Sequence, residues 1–173
     1  DDKEIASTAL SYGVEVIERP ESISHDKSPT EDCLIHVLNY YSSKGENYDY
    51  VVILEPTSPF RKPSTIDFAI NEIIKNKSES LLTVTASRAN IGTINEKKIF
   101  KPIRKNSPRR RQERSNLYIE SSTIYVTRVD FLLKNQSIVS DNWLALEVSK
   151  EEAIDINTLF DLDYARYLMQ NKS

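Results

Sequence analysis

The segment YVVILEPTSPFR, residues 50–61, joins an uninterrupted apolar run to a polar turn that contains two prolines. The run Tyr50–Leu54 has no polar alternation, which is typical of a strand buried on both faces of a parallel sheet. Ligand sites in parallel α/β sheets lie just beyond the carboxyl ends of the strands. Pro56 and Pro59 each fix φ, so the loop should be stiff. Its four candidate binding side chains are Glu55, Thr57, Ser58 and Arg61. The segment predicts either a ligand-binding loop or an ordinary strand-to-helix connection.

The composition indicates one globular domain. The chain has 173 residues, of which 39% are hydrophobic and 28% charged, with a formal net charge of −3. This length suits one ordinary core and is short for two. The acidic balance gives no reason to expect a nucleic-acid partner, and no apolar run approaches the roughly 20 residues that cross a bilayer. A single cysteine, Cys33, excludes an intrachain disulfide and favours a reducing, cytoplasmic compartment.

Strand and helix patterns alternate through the first half of the chain. Strands are predicted at 14–17, 50–54 and 81–85, and helices at 4–12, 28–41 and 64–76. Ser28 is the predicted N-cap of the second helix, with Pro29 at its first position and Glu31 completing a capping box. Such alternation favours an α/β fold with a parallel sheet.

The second half of the chain begins with a polar stretch. Residues 88–116 are rich in Lys, Arg and Asn and predict short strands and a mobile loop. Regular patterns return as strands at 122–127 and 143–148 and helices at 129–133 and 159–169. Asn157 or Thr158 is the predicted cap of the last helix. We therefore treat residues 1–173 as a single domain.

Asp155 and Asn157 precede the last helix in the segment AIDINT. Strand alternation would place both side chains on the same side of the chain. Oxygen-bearing side chains in this arrangement can hold Mg²⁺, which prefers carboxylates, phosphates and water. The alternative is structural, with Asn157 capping the helix and Asp155 accepting an ordinary hydrogen bond.

Basic residues are concentrated in one stretch. Charge runs are usually solvated loops, and the acidic overall balance with no interleaved aromatic residues argues against nucleic acid. A loop that binds phosphate or carboxylate is more economical, because the arginine fork suits both groups. Arg19, which follows the first predicted strand, fits the same role. The run consists of Lys105, Arg109, Arg110, Arg111 and Arg114.

Four segments in this order resemble the acylneuraminate cytidylyltransferases, also called CMP-sialic acid synthetases. They are DDKEIASTALSYGVEVIERPESISHDKSPTED, VVILEPTSPFRKPSTIDFAI, RRRQERSNLYIESSTIYV and AIDINTLFDLDYA. The resemblance implies a Rossmann-like nucleotidyltransferase, a three-layer sandwich with a mainly parallel sheet. It further implies transfer of CMP from CTP to a nonulosonic acid with Mg²⁺, and a homodimer whose smaller excursion lies within residues 88–150.

The resemblance also assigns roles to individual residues. Asp155 would hold Mg²⁺ together with Asn157, and Arg111 would join Asp155 as a catalytic residue. Gln112 would bind substrate beside it, and Arg19 would lie near the nucleotide. The remaining group would form or support the wall of the sugar site: Glu55, Thr57, Ser58 and Arg61.

Three departures from the family pattern qualify these roles. The chain begins after the family's first strand and glycine-rich nucleotide loop, so we expect this fragment alone to bind CTP poorly. Asn157 stands where a second aspartate is usual, and Ser121-Ser122 where Asn-Gly is usual. Glu55 stands where many members have glutamine, which indicates an acceptor other than N-acetylneuraminate. The alternatives are another 3-deoxy keto sugar acid as acceptor, or a non-catalytic relative that keeps the fold and the dimer.

Overall fold

The computed structural model describes residues 2–25 and 27–171. The predicted helices and most of the predicted strands are present, with boundaries shifted by a few residues. Short 3₁₀ turns lie at Glu21–Ile23 and Arg111–Glu113. The elements in chain order are α1 (Lys3–Ser11), α2 (Thr30–Ser43), β1 (Tyr50–Ile53), α3 (Pro63–Asn76), β2 (Ser80–Ser87), β3 (Gly92–Ile94), β4 (Phe100–Pro102), β5 (Leu117–Arg128), α4 (Val129–Asn135), β6 (Leu144–Glu147) and α5 (Leu159–Gln170).

The main sheet is mixed, with the strand order β1-β5-β2-β6. Strand β5 is antiparallel to both β1 and β2, and in the described chain only β2 and β6 form a parallel pair. The prediction of a mainly parallel sheet was therefore wrong. Strands β1, β2 and β6 do run in one direction, but β5 lies between β1 and β2 in the opposite direction and separates them.

The core forms where α3 packs on the main sheet. Apolar residues three and four positions apart give this helix one buried face, which includes Ala69 and Ile73 at 0% exposure. They contact Leu81 of β2 and both Ile124 and Val126 of β5. Burial of an Ile, Leu or Val side chain in this core stabilises the fold by about 1.5–3 kcal/mol, and the smaller Ala69 contributes less. This packing fixes the direction in which the loop between β1 and α3 leaves the sheet.

Strand β1 is less buried than its sequence predicts. Of Tyr50–Ile53 only Ile53 is buried, and Leu54 beyond it is 41% exposed. The expectation of burial on both faces was wrong for this strand, because β1 lies at an edge of the described sheet and pairs with β5 alone.

Residues 14–17, predicted as a strand, are extended but pair with no strand in the described structure. Side chains of α2 hold this segment instead. The Tyr41 hydroxyl donates to the Glu15 carboxylate at 2.7 Å, and His36 Nε2 lies 3.0 Å from the carbonyl oxygen of Glu18. The segment is therefore attached to a helix surface rather than to the sheet.

The two predicted helix caps have different outcomes. Helix α2 has Pro29 as its N-cap residue, with no side-chain cap, so the assignment of Ser28 was wrong. The Ser28 hydroxyl instead accepts a hydrogen bond from the backbone N–H of His25 at 3.2 Å. Helix α5 is capped by Thr158, as predicted, and Asp161 completes a capping box.

Strands β3 and β4 form a separate two-stranded sheet outside the main one. The remaining strands within residues 88–150, β5 and β6, belong to the main sheet. Large apolar side chains on and beside the hairpin are exposed, including Ile94 at 70% and Ile103 at 67%. Among the described helices, none combines the length and the apolar character that crossing a membrane requires.

Candidate functional site

The loop after β1 turns sharply at the carboxyl end of the strand. The backbone N–H of Ser58 donates to the carbonyl of Glu55 at 3.2 Å and closes the turn. Glu55 and Thr57 are half-buried, whereas Ser58 is only 2% exposed. The Ser58 hydroxyl has no hydrogen-bond partner among the described residues. The loop thus keeps one polar side chain unsatisfied in a nearly closed environment.

Arg61 braces this loop against strand β5. Its Nε donates to the carbonyl of Thr123 and its Nη2 to the carbonyl of Glu55, both at 2.6 Å. Burial lowers the pKa of Arg61, while the nearby charge of Glu55 acts in the opposite direction. Two of the guanidinium nitrogens are therefore used to hold the backbone of the loop.

Strand β5 is irregular where it meets this loop. Its pairing with β2 shifts between Leu82 and Thr83, so that residues 122–124 fall outside the regular ladder. The buried Thr83 hydroxyl spans the irregularity by donating to the Ser121 carbonyl at 2.9 Å and accepting from the Ile124 N–H at 3.1 Å. This β-bulge takes residues 122–124 out of the ladder at the point where the Ser122 and Thr123 hydroxyls contact Asp155 and the carbonyl of Glu152.

Asp155 lies between the bulge and the loop after β1. The backbone N–H of Ile156 donates to the carbonyl of Thr57 at 2.9 Å and joins the two segments. Asp155 Oδ2 accepts from the Asn157 amide at 2.7 Å and, at the long distance of 3.5 Å, from the Ser122 hydroxyl. Its Oδ1 is buried and accepts no hydrogen bond from the described residues.

The donor set at this position suits a hard cation. A buried carboxylate oxygen without a partner, beside an amide group that can also present oxygen, matches the oxygen ligands that Mg²⁺ prefers. The described residues contain no group of three or more His, Cys, Asp or Glu side chains arranged for a metal. Asp155 and Asn157 could therefore hold Mg²⁺ only with water or substrate phosphate completing the coordination.

Glu152 is a buried carboxylate that the sequence did not single out. It is 5% exposed and accepts from the Thr65 hydroxyl at 2.6 Å and from Lys62 Nζ at 3.3 Å, both at the start of α3. Its backbone carbonyl accepts from the Thr123 hydroxyl at 2.8 Å. Burial alone would raise the pKa of Glu152, but the bonds from Thr65 and Lys62 outweigh it and hold the pKa below its ordinary value of 4.5.

The lowered pKa of Glu152 predicts a pH dependence of stability. An acid with a depressed folded-state pKa stabilises the fold above its unfolded-state pKa, and this contribution is lost as pH falls through the folded-state pKa. The variant Glu152→Gln cannot titrate at this position, so its free energy of unfolding should fall less than the parent's between about pH 6 and about pH 3. Urea unfolding at several pH values measures this difference. Equal losses in both proteins would contradict the lowered pKa.

Two carboxylates, those of Glu120 and Glu55, lie near Tyr125 of β5. The Tyr125 hydroxyl donates to Glu120 at 2.9 Å. Burial, this hydrogen bond and the charge of Glu55 together raise the pKa of Tyr125 to about 12. This side of the site is therefore rich in hydrogen-bond acceptors and carries negative charge.

Three other residues are predicted for the site. Arg111 and Gln112 are exposed on a 3₁₀ turn, and in the described structure neither side chain forms a hydrogen bond with Asp155 or Glu55. Arg19 lines a surface cavity of about 420 Å³ between α1 and residues 16–24. The structure thus brings the loop after β1, including Arg61, together with the segment around Asp155, whereas the cavity that Arg19 lines includes neither of them.

Comparison with known proteins identifies the family. A family model described as cytidylyltransferase matches residues 1–171. The chain is 28% identical over 181 residues to CMP-N,N'-diacetyllegionaminic acid synthase of Legionella pneumophila, covering 98% of the chain and 75% of that protein. It is 26% identical over 182 residues to post-translational flagellin modification protein B of Campylobacter coli, covering 100% of the chain and 76% of that protein.

The fold also matches a solved structure. CMP:2-keto-3-deoxy-manno-octonic acid synthetase, determined in complex with CTP, superposes with a TM-score of 0.68 at 17% identity, over 98% of this chain and 78% of that one. This likeness shows an α/β nucleotidyltransferase fold. The match to the family model extends over nearly the whole chain, and the protein belongs to the cytidylyltransferase family.

Proposed function

We propose that this protein transfers CMP from CTP to the anomeric hydroxyl of a nonulosonic, sialic-acid-like sugar and releases pyrophosphate. One observation carries the proposal. Asp155 has a buried oxygen without a partner, and the Thr57–Ile156 bond fixes its segment beside the loop after β1. An unsatisfied anionic oxygen next to a polar loop is suited to a metal-bound triphosphate on one side and an acceptor on the other.

The reaction is an in-line displacement at the α-phosphorus of CTP. The sugar's anomeric oxygen forms the new bond to that phosphorus, the bond to the pyrophosphate oxygen breaks, and the hydroxyl proton passes to solvent. Catalysis of such a transfer consists mostly of positioning and of stabilising charge on the phosphate oxygens. The protein's task is therefore to hold the two substrates in line and to exclude water.

Each side of the site has a proposed task. Asp155 and Asn157 hold Mg²⁺, which when bound offsets the charge of the triphosphate. Arg19 lies near the nucleotide, and Arg111 and Gln112 contribute from the chain segment before β5. The last two side chains are exposed, and their proposed role is contact with the bound substrates rather than with Asp155.

The loop after β1 faces the acceptor. Glu55, Thr57 and Ser58 line the sugar site, and Arg61 supports it by fixing the loop backbone. The Glu55 carboxylate accepts no hydrogen bond from the described residues, and Glu120 adds a second negative charge nearby. The carboxylate of a sugar acid would be repelled on this side, so an acceptor that presents hydroxyl or amide groups to Glu55 is favoured.

Pyrophosphate release tests this function. The full-length protein should release pyrophosphate from CTP and Mg²⁺ with at least one member of a panel of neuraminate, legionaminate, pseudaminate and a 3-deoxy octulosonate. UTP and ATP in place of CTP provide the nucleotide controls, and reactions without sugar give the hydrolysis background. Absence of sugar-dependent release with every acceptor would reject the enzyme.

A non-catalytic relative is the second candidate, and one contact favours it. The Asn157 amide donates to Asp155 at 2.7 Å, so the carboxylate is partly engaged by a neutral neighbour where a second carboxylate would add a metal ligand. Sugar-dependent turnover by the parent protein distinguishes the two candidates, because an active enzyme shows it and a non-catalytic relative does not.

The variant Asn157→Asp tests the metal site directly. A second carboxylate adds an anionic ligand, so Mg²⁺-dependent turnover should be equal to the parent's or higher, and less Mg²⁺ should be needed for half-maximal rate. A Mg²⁺ titration of the initial rate measures both quantities, with Asn171→Asp at the exposed end of α5 as the matched control. A variant that needs more Mg²⁺ than the parent would contradict the proposed ligand pair.

We also propose that the protein acts as a homodimer. The separate sheet of β3 and β4 presents exposed apolar side chains that a second copy would cover, among them Ile94 and Phe100. Within residues 88–150, β3 and β4 are the described strands that lie outside the main sheet.

A further inference from the structure

Glu152 is a buried charged group that the proposed chemistry does not use. We propose that it is a positioning residue. It holds residues 153–157, here called the Asp155 segment, in the conformation that binds the divalent cation. The inference rests on the proposed function, because it assigns a role toward the same metal site. It concerns how the chain keeps Asp155 in place rather than which residue binds the metal.

The contacts of Glu152 attach the Asp155 segment at two points. Its carboxylate bonds to Lys62 and Thr65 at the start of α3, and its backbone carbonyl accepts from the Thr123 hydroxyl within the β5 bulge. Thr123 is fully buried, and its own carbonyl accepts from Arg61. Two elements of the fold, the start of α3 and strand β5, therefore hold Glu152, which lies three positions before Asp155.

The segment has a matching attachment on the other side of Asp155, where the Ile156 N–H donates to the Thr57 carbonyl. Hydrogen bonds thus hold the chain on both sides of Asp155. A buried carboxylate oxygen without a hydrogen bond is costly, and a free segment would rotate it toward solvent. Anchors on both sides keep Oδ1 in its buried position, available to a cation.

The carboxylate of Glu152 supplies the stronger attachment. Its contact with Thr65 is short, at 2.6 Å, and charge-assisted hydrogen bonds are about twice as strong as neutral ones. Lys62 Nζ adds an ion pair in which the carboxylate side is 7% exposed. Removing the carboxylate would leave the Thr65 hydroxyl and the Lys62 ammonium without this acceptor. Of the described bonds that tie Glu152 to α3 and β5, only the one from Thr123 to its backbone carbonyl would remain to hold the chain before Asp155.

Mn²⁺ is a suitable probe of the proposal, because its free and bound forms are distinguished by electron paramagnetic resonance. In the full-length protein with CTP, we expect Glu152→Ala to weaken Mn²⁺ binding about tenfold, the lower range for groups that orient metal ligands. Glu152→Gln keeps an acceptor for Thr65 and should lie between Ala and the parent. Glu147→Gln, at an exposed carboxylate of β6, should leave the affinity unchanged.

CTP affinity in the absence of metal distinguishes a positioning role of Glu152 from a general loss of structure in its variants. A positioning role leaves the metal-free dissociation constant for CTP within about twofold of the parent's, whereas a merely structural role weakens both ligands together. If Glu152→Ala does not fold, Thr65→Val removes only the hydroxyl that donates to Glu152. We then expect Thr65→Val to weaken Mn²⁺ binding by about threefold with unchanged metal-free CTP affinity.

The outcomes separate this inference from the proposed function. If the parent binds Mn²⁺, Asp155→Ala does not, and the Glu152 and Thr65 variants match the parent, the positioning role is overturned while the metal site stands. Parallel loss of Mn²⁺ and metal-free CTP binding in these variants overturns it too. If the parent binds no Mn²⁺ with CTP and releases no pyrophosphate, the proposed function fails and the inference fails with it.

Discussion

Replacing Asp155 with alanine should lower Mg²⁺-dependent pyrophosphate release by about a hundredfold or more, the usual effect of removing a group that stabilises transition-state charge. Asp155 supplies the one buried carboxylate oxygen at the site that the described residues leave without a partner. The described residues contain no cluster of three or more His, Cys, Asp or Glu side chains that would bind a metal without it. Initial rates at saturating CTP and acceptor, over a range of Mg²⁺ concentrations, measure the loss.

Stability provides the internal control for this variant. The variant removes the buried Oδ1, which has no hydrogen bond, and also Oδ2, which accepts from the Asn157 amide; because these two effects oppose each other, the unfolding temperature should stay close to the parent's. Asp163→Ala removes an exposed carboxylate of α5 and should keep full activity. Normal turnover by a folded Asp155→Ala protein would show that the metal assignment is wrong.

The variant Arg61→Met should lower the free energy of unfolding by about 3 kcal/mol, because it removes two hydrogen bonds from a charged donor. The bonds to the carbonyls of Thr123 and Glu55 are both 2.6 Å long, and Thr123 is fully buried. Methionine keeps much of the apolar stem, so the loss reports on the guanidinium rather than on packing. Urea unfolding measures it, with Arg166→Met at an exposed position of α5 as the control.

The same variant distinguishes two roles for Arg61. A residue that braces the loop changes stability first, and any loss of activity follows from a displaced loop. A residue that binds the sugar acid directly would instead raise the KM for the acceptor while leaving the unfolding free energy within about 0.5 kcal/mol of the parent's, as for ordinary surface substitutions. That second result would contradict the bracing role described for Arg61.

Local patterns were sufficient for much of the fold. The apolar spacing of α3 and the continuous apolar runs of β1 and β2 depend on neighbouring residues, and these elements lie where the sequence predicts them. The sheet order depends on pairings between distant segments, so the antiparallel insertion of β5 has no local signal. The same holds for residues 14–17, whose β-like pattern does not reveal that α2 holds the segment through side chains.

In the candidate site too, residues marked by a local pattern could be predicted, and residues defined by distant contacts could not. Asp155 and the residues after β1 were found because strand ends are general positions for ligand sites. Glu152 was missed because its partners are remote: Thr65 is 87 residues away and Thr123 is 29. The bulge that turns Thr123 toward Glu152 arises from a shift in pairing with β2, which no periodicity within β5 predicts.

Transfer of the α-phosphate is the most direct test of the proposed function. The full-length protein, given CTP with a radioactive α-phosphate, Mg²⁺ and a nonulosonic acid, should move the label into a sugar-linked CMP product, with one pyrophosphate released for each label transferred. Asp155→Ala in the same assay should leave the label in CTP. Label that remains in CTP, or appears only as free CMP, with every acceptor would contradict the proposal that this cytidylyltransferase activates a sialic-acid-like sugar.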